Sequence, residues 1–223
     1  MVRFERNITY DIMRLCYIRS EDEKMEFVEP IRDRKKIEDM KVILAAGKFG
    51  DRNVLLFSLG INTAYRISDL RTLQLADVLE ISRNKVIARE RLAMKEKKTG
   101  KNNSVFISKK LRKRIEKYVE DHFSKEVAAK EFDHYLFPSR IGTDKPLERE
   151  SLWRIISSAA DRVGLKHVGT HSMRKTFGYF LYKDGTNLAL IQDLLNHSSQ
   201  RETLRYIGIT QEDKDTAVKS LDL

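Results

Sequence analysis

Cysteine is nearly absent. Cys16 is the only one in 223 residues, so no internal disulfide framework can exist. A nucleophilic thiolate needs a placed base or cation. Nothing in the sequence around Cys16 suggests one, and it reads as a small apolar side chain. Prolines number three, so few helices are interrupted. No apolar run approaches the roughly 20 residues that cross a bilayer. The N-terminus carries Arg3, Glu5 and Arg6 without the apolar core of a signal peptide. A cytoplasmic protein with no membrane partner is the expectation. The sequence has no GxxxxGK[ST] phosphate loop, GxGxxG fingerprint or HExxH pair. It also lacks zinc-ligand spacing and a compact acidic cluster suited to two-metal phosphoryl transfer. No cofactor or metal is expected on these grounds. If this chain acts on phosphodiesters, cationic side chains would do the work.

Cations are abundant. Lys and Arg number 43 against 33 Asp and Glu, a net charge of +10. A surplus of this size fits a polyanionic partner such as nucleic acid, and equally a well-solvated basic surface. The runs at Arg32–Lys36, Lys95–Lys101 and Lys109–Lys113 tilt the balance toward nucleic acid. The length suits one large domain with a short appendage.

Periodicity predicts a mainly α fold with one small antiparallel β-sheet. Residues 1–29 read as an N-terminal extension or linker, with a helical turn or two at Ile12–Ile18. Pro30 fits a helix first turn. Ile31, Ile37, Met40, Ile43 and Leu44 then space as one apolar face up to Gly47. Asp51 is placed to cap a second helix through Leu59, broken by Gly60 and Asn62. A short helix follows from Ile67 to Leu73. Strand character at Lys85–Ala88 and Ser104–Ile107, with Gly100 and Asn102 between, predicts a hairpin with a lysine-crowded tip. Tyr135–Phe137 reads as a short extended piece. Later stripes predict helices over Leu111–Val119, Leu152–Val163, from His171 with Thr170 as cap, Asn187–Leu195 and Thr203–Ile207. The main domain spans 30–210, followed by a tail at 211–223.

Taken singly, the candidate residues carry little. His171 and Arg174 stand three apart at a predicted helix start, where a phosphate oxygen would be well received. Arg66, His197 and Tyr206 would ordinarily be surface or packing residues. Their order changes this. Gly60-Ile-Asn-Thr-Ala-Tyr-Arg66-Ile-Ser-Asp69 is followed by Lys98-Thr99-Gly100-Lys101, then Thr170-His171-Ser172-Met173-Arg174-Lys175, then Asn196-His197-Ser198, then Thr203-Leu204-Arg205-Tyr206. The set resembles the tyrosine recombinase (lambda-integrase) family across roughly residues 30–210.

The resemblance implies a catalytic-domain fold and an enzyme that cuts and rejoins DNA. Arg66 and Arg174 match the two arginines that grip the scissile phosphate, a role suited to guanidinium's fixed fork of donors. Lys98 matches the hairpin lysine that protonates the leaving 5′ oxygen, with Lys101 as the alternative. His171 matches the histidine that moves the nucleophile's proton, and His197 a donor to a phosphate oxygen. Asp69 matches a supporting acid, and Tyr206 the nucleophile. Lys97, Lys101 and Lys175 are candidate DNA contacts. The resemblance further implies double-stranded DNA as partner, a 3′-phosphotyrosyl intermediate, no metal or ATP, and a nucleoid location. Four protomers would act on two duplexes, with a monomer off DNA. Family members usually carry an N-terminal core-binding domain of about a hundred residues, whereas here about 29 precede the catalytic region. A DNA-binding regulator and a strand-nicking, relaxing enzyme are the competing readings. The tail either docks on a neighbouring subunit or packs in cis.

Overall fold

The computed structural model describes residues 28–97, 100–142, 145–219 and 221. The expected turns at Ile12–Ile18 and the candidate Lys98 therefore lie outside the described residues.

The centre of the molecule is α2 (Gly50–Asn62). Every residue from Val54 to Gly60 is buried, as in a helix surrounded by others. It packs against α1 (Arg34–Ala45), α5 (Lys109–His122) and, most extensively, α8 (Thr170–Lys183). Gly60 does not break α2. A Cβ there would lie 2.5 Å from Met173 Sδ, so this glycine lets α8 approach. The start of α1 also differs from expectation. Asp33 caps it by accepting from Lys35 N at 2.7 Å. Pro30–Asp33 precede the helix, held there by Ile31 N donating to Thr176 Oγ1 at 2.8 Å. The N-cap of α2 is Phe49, with Asp51 in the first turn rather than capping. Thr170 likewise is the first residue of α8 and not its cap, which is Gly169.

Two two-stranded hairpins replace the single expected sheet. After the short α3 (Ile67–Leu70) and α4 (Leu75–Val78), β1 (Leu79–Ser82) pairs with β2 (Lys85–Ala88). Their turn places Arg83 and Asn84 at φ 48° and 61°, the primed geometry that suits strand twist. Then β3 (Arg91–Lys95) pairs with β4 (Asn102–Phe106), Leu92 opposite Val105 and Lys95 opposite Asn102. The lysine-rich tip belongs to this second hairpin. Fully buried Tyr65 ties it to the helical core, its hydroxyl lying 2.7 Å from Leu92 O and 2.8 Å from Asn103 O. Of the expected extended piece at Tyr135–Phe137, only Tyr135 forms a bridge, antiparallel to Gln74; Leu136 and Phe137 are bends, with Leu136 N donating to Leu73 O.

The second half is helical. The α5 stripe Leu111, Ile115, Tyr118 and Val119 is buried as its spacing predicts. The short α6 (Ser124–Ala129) follows. In α7 (Arg149–Arg162), Leu152, Ile156 and Ala159 are buried. After α8 come α9 (Leu188–Leu194), α10 (Gln200–Tyr206) and α11 (Gln211–Lys219). No helix among the described residues is long and apolar enough to cross a membrane.

Candidate active site

Arg66 is the residue that leads into α3, with extended backbone (φ −74°, ψ 156°). Thr63 Oγ1 closes the end of α2 by donating to Leu59 O at 2.8 Å, which turns the chain so that Arg66 faces the β3–β4 hairpin. There its guanidinium donates to Glu96 Oε2. Arg174 lies in the second turn of α8, only 3% exposed. Its Nη2 donates to Leu195 O and its Nη1 stands 3.8 Å from Glu96 Oε1. That Nη1 is buried and has no hydrogen-bond acceptor among the described residues. An unmet buried guanidinium donor is costly, and a phosphate oxygen would satisfy it.

Glu96, directly after β3, is fully buried. Asn196 donates to its Oε1 at 2.8 Å and Asn103 at 3.1 Å. Burial alone would push this carboxyl up. The hydrogen bonds from Asn196, Asn103 and Arg66 and the Arg66 charge outweigh it and hold the carboxyl below its ordinary range. A carboxylate thus joins the two arginines that motif order singles out. Neither Glu96 nor its asparagines are legible from sequence, because a glutamate beside a lysine run reads as solvated surface.

Tyr206 ends α10. Ser199 caps this helix, its Oγ accepting from Glu202 N at 3.1 Å. Glu202 Oε2 in turn accepts from Ser198 N at 2.9 Å. Before the cap, Asn196 adopts φ 49°, a conformation asparagine tolerates better than most side chains, and the chain reverses out of α9. This fold-back sets His197 against α10. Its Nδ1 lies 3.1 Å from Thr203 Oγ1, and its ring meets Tyr206 edge-on, centroids 4.8 Å apart at 76°. Thr203 Oγ1 also donates to Ser199 O. Thr203 Oγ1 thus bridges the His197 imidazole and the Ser199 carbonyl. Burial, together with the charges of Arg174 and Arg66, pushes the imidazole below its usual pKa despite Glu202. Burial likewise pushes the Tyr206 phenol up, while Arg174 and Arg66 pull it down; the balance lies above the ordinary value. Protonated phenol is the resting state at neutral pH, and a base is needed to make it a nucleophile.

The other candidates are placed around this core. Asp69 is fully buried, and its Oδ1 accepts from Lys97 N at 3.1 Å, anchoring the base of the lysine-bearing turn. Lys97 and Lys101 are exposed beside it. Gly100 takes φ 67° as its N–H donates to Glu96 O, and Glu96 N donates to Lys101 O at 2.9 Å. His171 stands at the start of α8 and is exposed, while Arg174, one turn on, is buried. Lys175 turns inward: its Nζ donates to Val28 O at 2.7 Å and lies 5.4 Å from the Tyr206 ring centroid. The structure therefore gathers Arg66, Arg174, His197 and Tyr206 into one site and ties Asp69 to the hairpin.

This fold is that of tyrosine recombinase catalytic domains. It superposes on XerA recombinase with a TM-score of 0.66 (18% identity, 86% of this chain and 65% of that one). The catalytic domain of bacteriophage HP1 integrase gives 0.53 at 18% identity, over 86% of this chain and 94% of that one. For XerH site-specific recombinase bound to a palindromic difH substrate the value is 0.67 at 19% identity, over 88% of this chain and 53% of that one. In sequence the chain matches the phage integrase family over residues 33–213. It is 39% identical to the Bacillus subtilis protein YoeC, named a probable integrase/recombinase, over 87% of this chain and 97% of that protein. A tyrosine recombinase of Pseudothermotoga lettingae is 27% identical over 95% and 70%. The chain belongs to the phage integrase family: it is a tyrosine recombinase catalytic domain, a DNA strand transferase.

Proposed function

We propose that this protein carries out site-specific recombination on double-stranded DNA through a covalent 3′-phosphotyrosyl intermediate, without metal or ATP. The observation that carries this reading is the convergence of Tyr206 with His197, Arg174 and Arg66, brought together by three separate parts of the chain. The Tyr206 hydroxyl attacks the scissile phosphorus and the bond to the 5′ oxygen breaks. His171 takes the phenolic proton, and Lys98 or Lys101 delivers one to the departing oxygen. Arg66 and Arg174 spread the charge of the non-bridging oxygens, aided by His197. One phosphoester replaces another, so no external energy source enters, and a 5′ hydroxyl from a second strand reverses the step.

Asp69 supports the site by anchoring the chain at Lys97. Lys97, Lys101 and Lys175 contact the DNA backbone. The catalytic unit is 30–210, preceded by an extension at 1–29. Recombination assembles four protomers on two duplexes. The exposed α11, held at its start by an Arg32–Asp213 ion pair at 3.6 Å, then docks on a neighbouring subunit. The experiment is a denaturing-gel search for a protein–DNA adduct, using nicked duplexes of randomised sequence in EDTA and without ATP. An adduct that forms and reseals on adding a 5′-hydroxyl strand supports the reading. Failure of any member of the pool to form one sinks it.

A further inference from the structure

We infer that Glu96 is a positioning residue for the scissile phosphate: its buried carboxylate orients the forks of Arg66 and Arg174 and couples them to the lysine-bearing hairpin. The inference rests on the reading that these arginines grip the phosphate. Each carboxylate oxygen has its own task. Oε2 takes Arg66, while Oε1 takes Asn196 and Asn103 and faces Arg174 Nη1. These partners arrive from the entry to α3, the turn after α9, β4 and α8. Asn103 extends the link by donating also to Leu194 O at 3.2 Å, next to the Leu195 carbonyl that holds Arg174.

The chemistry asks for a carboxylate here. All four neighbours present donors, so the group among them must accept on both oxygens. Two guanidinium groups directed at one phosphate also repel each other in a buried setting, and one intervening negative charge relieves this while leaving a net +1 to meet the phosphate. The three charged side chains differ in mobility. Glu96 and Arg174 are 0% and 3% exposed, Arg66 19%. Arg66 is therefore the group that swings away when Glu96 stops accepting.

Glu96→Gln isolates this role. A carboxamide oxygen at Oε1 keeps the links to Asn103 and Asn196, and its NH2 then faces the Arg66 donor and expels it. The test is single-turnover adduct formation on a reactive nicked duplex drawn from the randomised pool, with DNA concentration varied. The expected result is a fall of tenfold or more in the rate at saturating DNA, with the duplex Kd within threefold of wild type. Loss confined to Kd, or a saturating rate within threefold of wild type, overturns the inference. Should Glu96→Gln not fold, Asn196→Gly takes its place, since glycine accepts the φ of 49° at this position. It loosens the carboxylate without removing its charge, and should lower the saturating rate at least threefold at constant Kd; an unchanged rate overturns the inference. A wild-type protein that forms no adduct at all instead overturns the catalytic reading beneath it.

Discussion

Gly178 lies in the middle of α8, where an alanine would ordinarily be welcome. Glycine in a helix interior costs about 0.8–1 kcal/mol relative to alanine, so in an open helix Gly178→Ala would stabilise by that amount. The surroundings reverse the sign. An added Cβ would stand 2.7 Å from Ile207 Cγ2 and 3.1 Å from Leu195 Cδ1, both fully buried. Overpacking of this kind typically costs about 1–3 kcal/mol. The net is a destabilisation of up to about 2 kcal/mol, after the helix gain is subtracted. In a chain of this size that lowers Tm by up to roughly 8 °C. The effect on chemistry should be larger, because the two displaced residues adjoin the site. Ile207 follows Tyr206 directly, and the Leu195 carbonyl holds Arg174. Misplacing reacting groups by about 1 Å costs on the order of a hundredfold in rate. Gly178→Ala is therefore expected to fold, melt lower by calorimetry or circular dichroism, and form adduct ten- to a hundredfold more slowly, as order-of-magnitude figures. A variant that melts higher than wild type with undiminished adduct formation would refute the packing of Leu195 and Ile207 against Gly178.

Other outcomes follow from the same contacts. Asp69→Ala removes the acceptor of Lys97 N and should lower Tm while slowing adduct formation through a loosened hairpin; Asp69→Asn, which retains an acceptor oxygen, should lose less of both, and equal losses in the two variants would contradict the anchoring role. His197 has a depressed pKa in the folded chain. The unfolded state then binds the extra proton first, so stability drops as pH falls below about 6.5, the ordinary histidine value. His197→Phe should flatten that decline in denaturant titrations between neutral and mildly acidic pH, and an unchanged slope would refute the assignment.

Much of the fold is legible in the sequence because helices such as α5 and α7 bury one stripe each. The α5 and α7 faces appear at their predicted positions. The misreadings have local causes. Gly60 looks like a helix breaker until Met173 is seen to need the space. Asp33 rather than Pro30 starts α1, because Thr176 holds Ile31 in place from far along the chain. The first hairpin turns on Arg83 and Asn84, which carry no glycine signal. In the site, the positions of Arg66, Arg174, His197 and Tyr206 follow from the order of motifs. What joins them does not. Glu96, Asn103 and Asn196 act only through tertiary contacts, and a buried carboxylate within a lysine run has no periodic or compositional mark.

The central claim is that Tyr206 becomes covalently linked to DNA. Wild-type protein trapped on a reactive nicked duplex, digested and analysed by mass spectrometry, should yield one nucleotide-bearing peptide, modified at Tyr206. Tyr206→Phe should bind the same duplex with similar affinity and yield none. A nucleotide on any other residue, or an adduct that persists in Tyr206→Phe, would contradict the account.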